Sequence, residues 1–476
     1  MLFNSLHFAI FLPVVLALYY LLRHRHQAQN TLLMLASLYF YASWDWRFLG
    51  LLFLTMVIDF NVAAWLERMQ AAGAPEARRK RVLAISMASN LAILGFFKYC
   101  NFFISSLQTF AASLGLHPSL HTLNIVLPIG ISFFTFQSMS YTIDVYRGEL
   151  RAARSFWDFA LFVSFFPHLV AGPIMRAVVL LPQVLRPRHT SRQQVIEGIH
   201  LILWGLWKKC FIADSLAPLV DATFNAPNAS GFEVLIAVYT FAFQIYCDFS
   251  GYTDIARGVA KLFGFELGLN FNLPYFAQSP QDFWSRWHIS LSQWLRNYLY
   301  IPLGGNRDGK WHTYRNLMLT MVLGGLWHGA AWNFVLWGFY QGALLAVHRL
   351  YRDFVPGTAG PENDTRPLAW VKMLVMFQFT CFGWLLFRAH SLSQIASMTG
   401  ALSHPLDTFN WEPIAALVPF IAPLIVVQIF QYVSRNHYFL LTRSVPLQLR
   451  TACYTVLGYL VLFRAAAPQA FIYFQF

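Results

Sequence analysis

The sequence predicts an all-α, polytopic integral membrane protein with about ten or eleven transmembrane helices. The first observation is composition: the 476 residues are 57% hydrophobic and 12% charged, whereas a soluble domain is about 25% charged. The second is a set of apolar windows that reach or approach the roughly 17 to 25 residues needed to cross a bilayer. These windows are residues 6–22, 48–65, 82–97, 232–246, 369–387 and 413–432. A soluble fold could not bury this much apolar surface.

Basic residues are concentrated in alternate connections between the windows, and this banding predicts the orientation of the chain. They cluster in 23–25, 78–81, 147–154, 176–192 and 435–450, whereas 114–124, 214–231 and 390–412 contain almost none. Because cytoplasmic loops carry the excess of Lys and Arg, we expect the N-terminus outside and the basic loops inside. The net charge of +13 therefore indicates topology, and no nucleic-acid partner is expected. The first window is followed, not preceded, by its arginines, so we expect a retained helix rather than a cleaved signal.

Residues 157–192 are expected to enter the membrane without crossing it. Pro167, Gly172, Pro173 and Pro182 interrupt this stretch, and basic residues flank it. An interrupted helix at membrane depth is tolerated only where protein or a water-filled cavity surrounds it. We therefore predict a re-entrant segment that begins and ends on the cytoplasmic side.

Residues 270–315 form a second stretch that is not expected to span. Ser279, Pro280 and Asp282 have the pattern of a helix start: a capping side chain, a proline at the first position and an acid in the first turn. A helix continuing from there to Tyr298 would carry aromatic and apolar residues on one side and polar residues on another. This predicts a cytoplasmic amphipathic helix at the membrane surface, with His288 beside its apolar stripe.

His328 is the only histidine or charged residue between Arg315 and His348. The intervening segment, 316–347, is longer than one span and shorter than two. The glycines around the histidine predict either a break in the helix or close packing of helices. An imidazole at membrane depth is a candidate functional group, and it can be buried in its neutral form and accept a proton near neutral pH. We predict that His328 is a catalytic base.

Several function classes are disfavoured. The five cysteines lack the paired spacing of a disulfide framework or a zinc site, so no metal or bound cofactor is expected. The absence of a Walker motif and of a nucleotide-binding GxGxxG pattern argues against an ATP-driven pump. We see no inverted repeat of the kind found in many secondary transporters. A transporter or flippase in which His328 relays protons is nevertheless the alternative class.

Six segments carry a resemblance to a known family. They are QSMSYTIDVYRGEL at 137–150, FFPHLVAGPIMR at 165–176, YCDFSGYTDIARGVAKLFGFELGLNFNLPYF at 246–276, FWSRWHISLSQWLRNYLYIPLGGNR at 283–307, LGGLWHGAAWNFVLWG at 323–338 and FIYFQF at 471–476. Together they resemble the membrane-bound O-acyltransferase family, and within it the bacterial enzymes that acetylate polysaccharides such as alginate. The resemblance implies a ring-like helical bundle that is one domain over 1–476, with a catalytic core at 137–350 and C-terminal transmembrane helices at 368–476.

The resemblance also implies a reaction and a location. An acetyl group would pass from cytoplasmic acetyl-CoA, a co-substrate, to an extracytoplasmic polysaccharide or to a partner acetyltransferase of the SGNH type. The membrane would be the bacterial inner membrane, with the N-terminus in the periplasm. His328 corresponds to the family-wide histidine where a cytoplasmic and an extracellular funnel meet, and His288 to a second characteristic position that could orient the acyl group, relay the proton or be structural.

Three positions depart from the family pattern: Asn297 replaces an acid, His168 a glutamine and Gln341 a histidine. None of these positions lies in the motif that contains His328. The departures therefore leave the predicted reaction class unchanged and concern only the details of substrate recognition. Within the family, D-alanyl transfer to teichoic acid is the alternative reaction. The acceptor glycan stays open.

Several other polar residues are candidates for the active site or the donor-binding site, and some of them could instead be purely structural. Trp327 and Asn333 could donate hydrogen bonds at the reaction site. Asp254 and Arg257 could line a donor tunnel, with Arg257 near a nucleotide phosphate, or could pair with other buried charges. We expect Asp248 to be structural.

The basic residues Arg176, Lys208 and Lys209 could meet the phosphates of CoA. Basic residues beside cytoplasmic helix ends are, however, more commonly topology determinants.

Overall fold

The computed structural model describes residues 1–116, 121–355 and 367–474. Within these ranges the chain forms α-helices joined by loops and short turns, with no β-strand. The helices are α1 Leu6–Leu21, α2 His26–Asp45, α3 Leu49–Ala71, α4 Glu76–Leu94, α5 Cys100–Ser113, α6 Ile131–Arg147, α7 Phe156–Ser164, α8 Phe166–Leu169, α9 Ala177–Leu185, α10 Arg192–Leu206, α11 Asp214–Phe224, α12 Gly231–Leu262, α13 Pro280–Arg286, α14 Ile289–Leu295, α15 Lys310–His328, α16 Trp332–Phe354, α17 Pro367–Arg388, α18 Leu392–Ala401, α19 Trp411–Ser434 and α20 Leu447–Phe463.

Among the described residues, five helical segments are long and apolar enough to cross a membrane: His26–Ala71, Glu76–Ser113, Gly231–Leu262, Pro367–Arg388 and Trp411–Ser434. The first joins α2 and α3 through a 3₁₀ turn, and the second joins α4 and α5 through a π-helical turn. Helices α1 and α20 are shorter and also apolar. The predicted all-α membrane class is confirmed, and the total of ten or eleven spans stays a prediction.

The chain forms two compact units. The first comprises Met1–Gly198 with Val259–Gly268, and the second comprises Ile199–Gly258 with Leu269–Phe476. Both histidines singled out in the sequence belong to the second unit.

The interior of the first unit contains a polar cluster. The carboxylate of Asp59, on α3, accepts hydrogen bonds from Ser86 Oγ (2.6 Å) and Asn90 Nδ2 (2.9 Å), both on α4, and from Ser138 Oγ on α6. The side chain of Asp59 is fully buried. Because buried polar groups are stable only when they have such partners, the cluster fixes these three helices against one another.

The interruption predicted within 157–192 is confirmed. Helix α7 ends at Ser164, α8 is a single turn, and α9 begins only at Ala177. Gly172 lies where the backbone folds back closely, since a Cβ there would be 2.3 Å from the Cα of His168. That this segment enters from the cytoplasmic side stays a prediction.

The amphipathic helix predicted from Ser279 begins as expected but does not continue. Ser279 Oγ accepts a hydrogen bond from the N–H of Asp282 (3.1 Å), and Pro280 occupies the first turn. The prediction of one continuous helix is wrong, because α13 ends at Arg286 and α14 begins at Ile289. The two short helices are therefore separated by residues 287 and 288.

The apolar side of this interrupted stretch packs into the second unit. Its core side chains are at most 5% exposed: Phe283, Trp287, Leu291 and Trp294. The ring of Trp287 lies 4.7 Å from that of Trp384, on α17. Arg286, expected on the polar side, is buried and pairs with Asp282 at 2.6 Å. This stretch thus forms part of the unit's interior rather than a surface helix.

Helices α15 and α16 occupy the segment predicted at 316–347 and extend beyond both of its ends. They contain 19 and 23 residues, so each approaches the length of a full span. Both expectations for the glycines are met. The chain breaks after His328, and Gly325 approaches Gly338 so closely that a Cβ on Gly325 would lie 3.0 Å from the Cα of Gly338.

Substituting Gly325 by Ala is expected to destabilise the protein by about 1–3 kcal/mol, the usual cost of overpacking. The added Cβ would lie 2.2 Å from the carbonyl oxygen of Phe334, and this backbone atom can move only if α15 and α16 separate. Thermal unfolding of the detergent-solubilised protein measures the effect. Gly400→Ala, in α18 where nothing lies within 4 Å, is the matched control and should be neutral or slightly stabilising. Equal melting temperatures for the two variants would contradict the close packing.

Candidate active site

The two predicted histidines lie side by side in the second unit. The ring centroids of His288 and His328 are 6.3 Å apart, and the two residues are 0% and 4% exposed. The indole of Trp327 lies 6.0 Å from the first imidazole and 5.0 Å from the second, and Trp337 meets His328 edge-on at 5.1 Å. The pair thus lies in an aromatic surrounding where polar interactions are stronger than in water.

His328 is the last residue of α15. The chain leaves the helix at Gly329 in an extended conformation and re-enters helix at Trp332. A Cβ on Gly329 would lie 2.0 Å from the ring of Phe334, so only glycine fits this position. The glycine therefore allows the chain to turn immediately beyond the imidazole.

His288 has an unusual backbone conformation for a residue with a side chain. Its φ is +43°, in the left-handed region, and it forms the junction between α13 and α14. Such a conformation costs on the order of 1–3 kcal/mol and is concentrated at functional sites. The surrounding contacts that impose it also fix where the imidazole lies.

The hydrogen bonds around Asn270 define the tautomer of His288. Its Nδ1 lies 3.2 Å from Asn270 Oδ1, which also accepts the backbone N–H of Ser290 at 3.1 Å. Because a backbone N–H can only donate, this amide atom is the oxygen, so Nδ1 of His288 carries the proton. Burial lowers the pKa of His288, which keeps the ring neutral with its lone pair on Nε2.

The C-terminal segment supplies a third polar side chain that sequence reasoning did not single out. The ring of Tyr473, within a short 3₁₀ turn, lies 5.5 Å from that of His328 and 6.3 Å from that of His288. It also packs on Phe249 at 4.4 Å. The motif at 471–476 was visible in the sequence, but nothing local in it indicated that this segment reaches the histidines.

Trp327 and Asn333 have different placements. The indole of Trp327 contacts both imidazoles, as described above. The amide of Asn333 instead donates to the carbonyl oxygen of Ala389 at 2.9 Å, and so ties α16 to the end of α17. Phe387, two residues before that carbonyl, packs on His328 at 5.5 Å. Asn333 therefore supports a neighbour of the histidine.

Two buried ion-pair groups lie along α12. Lys208 Nζ is 2.6 Å from Asp254, which also pairs with Arg257 at 3.2 Å. Lys209 Nζ is 2.8 Å from both Asp214 and Asp248. The structural interpretation of Asp248 is thus consistent with its pairing. The side chains of the two lysines are only 3% and 5% exposed, so both are buried in these ion pairs, and their suggested roles in phosphate binding or topology stay predictions.

Two glycines explain how adjacent lysines reach different acids. Gly205 of α10 and Gly251 of α12 face each other, and a Cβ on Gly205 would lie 2.5 Å from the carbonyl oxygen of Gly251. The π-helical turn Trp207–Ala213 follows directly and carries both lysines. This close crossing brings the ammonium groups within reach of carboxylates about 40 residues further along the chain.

Asp254 and Arg257 line a cavity rather than the histidine pair. Lys208, His200 and His437 share this cavity, which also has an aromatic wall. Phe271 in that wall lies 5.0 Å from Phe249, whose ring meets His288 at 4.7 Å. The charged cavity and the histidines are therefore connected through two aromatic rings.

Arg176, the remaining predicted phosphate contact, lies in the first unit. It pairs with Glu149 at 3.1 Å and Asp144 at 3.5 Å. Its guanidinium therefore has carboxylate partners within the protein.

Comparison with known proteins identifies the family. Residues 89–389 match the model of the membrane-bound O-acyltransferase family. The chain is 45% identical to the probable alginate O-acetylase AlgI of Azotobacter vinelandii, over 83% of this chain and 76% of that protein. It is 34% identical to the peptidoglycan O-acetyltransferase of Helicobacter pylori, over 100% of this chain and 98% of that protein.

A more distant relative has a different acyl group in its name. The teichoic acid D-alanyltransferase of Bacillus subtilis is 27% identical over 57% of this chain and 71% of its own length. These relatives and the family match support O-acyltransferase activity in a multi-pass membrane protein. The chain belongs to the membrane-bound O-acyltransferase family.

Proposed function

We propose that the protein transfers an acetyl group from cytoplasmic acetyl-CoA across the bacterial inner membrane to an extracytoplasmic polysaccharide, directly or through a partner acetyltransferase. The observation that carries the proposal is the pair of buried imidazoles, 6.3 Å apart, in a chain similar to two named O-acetyl-transferring enzymes. In the proposed orientation the N-terminus lies in the periplasm, because the basic loops belong to the cytoplasmic side.

His328 is the proposed base. The hydroxyl oxygen of the acceptor attacks the carbonyl carbon of the thioester while His328 takes the hydroxyl proton. The tetrahedral intermediate then collapses, its C–S bond breaks, and the thiolate of CoA leaves and takes up the proton held by His328, which restores the neutral imidazole. The acetyl ester and free CoA are the products, so atoms and charge balance without an oxidant or a metal.

His288 is proposed to assist this reaction. Its Nδ1–H is held by Asn270, so the lone pair on Nε2 can accept a hydrogen bond from the acceptor hydroxyl or relay a proton. Trp327, which contacts both rings, is the nearest predicted donor for the developing oxyanion.

The charged cavity is the proposed contact for the phosphate-bearing part of the donor. Lys208 and Arg257 supply two cations there against the single carboxylate of Asp254, and the cavity is otherwise lined by neutral side chains and histidines. This surplus of positive charge suits a phosphate.

The decisive experiment supplies purified protein with acetyl-CoA labelled in the acetyl group and measures CoA release by mass spectrometry. Release above the no-protein background, increased by unacetylated alginate oligosaccharide or peptidoglycan fragments that become labelled, is the expected result. The comparison arm supplies a D-alanyl-loaded carrier protein, because the resemblance to D-alanyltransferases makes this donor the second candidate. Turnover of the carrier without CoA release would overturn the acetyl-CoA assignment.

A further inference from the structure

The C-terminal segment is tied to the buried ion pairs by two hydrogen bonds. The backbone N–H of Ile472 donates to Asp248 Oδ2 at 2.7 Å, and Lys209 Nζ donates to the carbonyl oxygen of Gln469 at 3.1 Å. Both side chains belong to the interior of the second unit, where Asp248 is 3% and Lys209 is 4% exposed. The segment is therefore attached to the helical core at two points three residues apart.

The charges around these bonds favour the attachment. Lys209 is shared by two carboxylates, those of Asp214 and Asp248, so a single ammonium group serves two buried acids. A buried carboxylate is costly unless donors surround it. The N–H of Ile472 is such a donor, and hydrogen bonds to ionised acceptors are about twice as strong as neutral ones.

The bond from Ile472 lies directly beside the part of the segment that meets the histidines. Tyr473 directly follows the bonded N–H of Ile472, and its ring contacts His328, His288 and Phe249. The neighbouring ring of Phe471 packs on Tyr252 of α12 at 4.8 Å. The bond from the Ile472 N–H therefore fixes the backbone immediately before the tyrosine that meets the histidine pair.

We propose that Asp248 and Lys209 are positioning residues, which hold the segment 469–474 against the histidine pair and thereby complete the active site. They act through the segment and do not touch the reacting atoms. The effect on turnover rests on the proposed acetyl transfer, whereas the attachment of the segment does not.

Three variants test the attachment from both of its sides. Asp248→Ala removes the acceptor, and Ile472→Pro removes the donated N–H while leaving the Lys209–Asp248 pair intact. Asp248→Asn keeps a side-chain oxygen that can accept the same N–H, although its amide nitrogen then faces Lys209, which stays paired with Asp214. Because Ile472→Pro leaves the buried ion pairs intact, this variant reports on the bond even if Asp248→Ala fails to fold.

The first readout is removal of Tyr473 from the full-length protein by carboxypeptidase, followed by intact-mass spectrometry. Asp248→Ala and Ile472→Pro should each speed removal about tenfold or more, the usual effect of losing a hydrogen bond to a charged group. Asp248→Asn should fall between Asp248→Ala and the unmodified protein, because its neutral oxygen accepts a weaker bond than the carboxylate. In the double variant Asp248→Ala/Ile472→Pro the two effects should not add, because both remove one bond.

The second readout is acetyl transfer. The two disruptive variants should lower kcat about tenfold or more while KM for acetyl-CoA changes less than twofold, and Asp248→Asn should retain more of kcat than Asp248→Ala. Unchanged removal of Tyr473, additive effects in the double variant, or a loosened segment with unchanged kcat would each overturn the proposal. If the unmodified protein turned over no acetyl-CoA, the donor assignment would fail, whereas the mass measurement would still decide the attachment.

Discussion

Substituting His328 by Ala is expected to lower acyl transfer by about a hundredfold to ten-thousandfold, the typical contribution of a positioned general base. The imidazole is 4% exposed, and the ring of His288 is centred 6.3 Å away, so alanine leaves no proton-accepting side chain at the position of the lost ring. The loss should appear in kcat, measured by CoA release at saturating acetyl-CoA.

The matched control for this variant is His312→Ala. His312 lies on the same helix, α15, but is exposed near its N-terminal end, where Nδ1 contacts the carbonyl oxygen of Asp308. Its substitution should leave turnover unchanged. A His328→Ala protein that melts like the control and retains its full rate would exclude His328 as the base.

Substituting Asp254 by Ala is expected to destabilise the protein by about 3–5 kcal/mol, because it leaves buried cations without their carboxylate. The side chains of Lys208 and Arg257 are only 3% and 12% exposed, and both pair with this acid. Thermal unfolding in detergent should show a large fall in melting temperature.

The matched control for Asp254→Ala removes an acid from a solvent-exposed ion pair. Asp353 pairs with Lys310 at 2.9 Å, and the side chains are 32% and 76% exposed, so Asp353→Ala should leave the melting temperature almost unchanged. A second variant, Lys208→Met, removes one cation and leaves Asp254 paired with Arg257, and it should be less destabilising than Asp254→Ala. Similar melting temperatures for Asp254→Ala and Asp353→Ala would contradict the assignment of a buried network.

The features that could be predicted from sequence are those with a local cause. The glycines around His328 predicted either a break or close packing of helices, and both occur, because glycine both weakens a helix and permits close approach. Ser279 and Pro280 predicted the start of α13, since capping depends on residues a few positions apart. The apolar windows predicted membrane-spanning helices, since the hydrophobicity of a span depends only on consecutive residues.

The features that escaped prediction depend on contacts between distant residues. The left-handed backbone at His288 is imposed by neighbours such as Asn270, and a non-glycine residue gives no sequence signal of it. The pairing of Lys208 required the crossing of two helices at Gly205 and Gly251. The place of Tyr473 could not be predicted because a short apolar segment can pack in many positions.

The position of His328 at the very end of α15 has an electrostatic consequence for the reaction. The peptide dipoles of a helix sum to a partial negative charge at its C-terminus, which stabilises a nearby cation by about 0.3–1 kcal/mol. When the imidazole accepts the acceptor's proton, the resulting imidazolium forms beside that end of a 19-residue helix. The helix thus favours the protonated state that exists only during turnover, and it does so without placing a permanent charge among the aromatic rings.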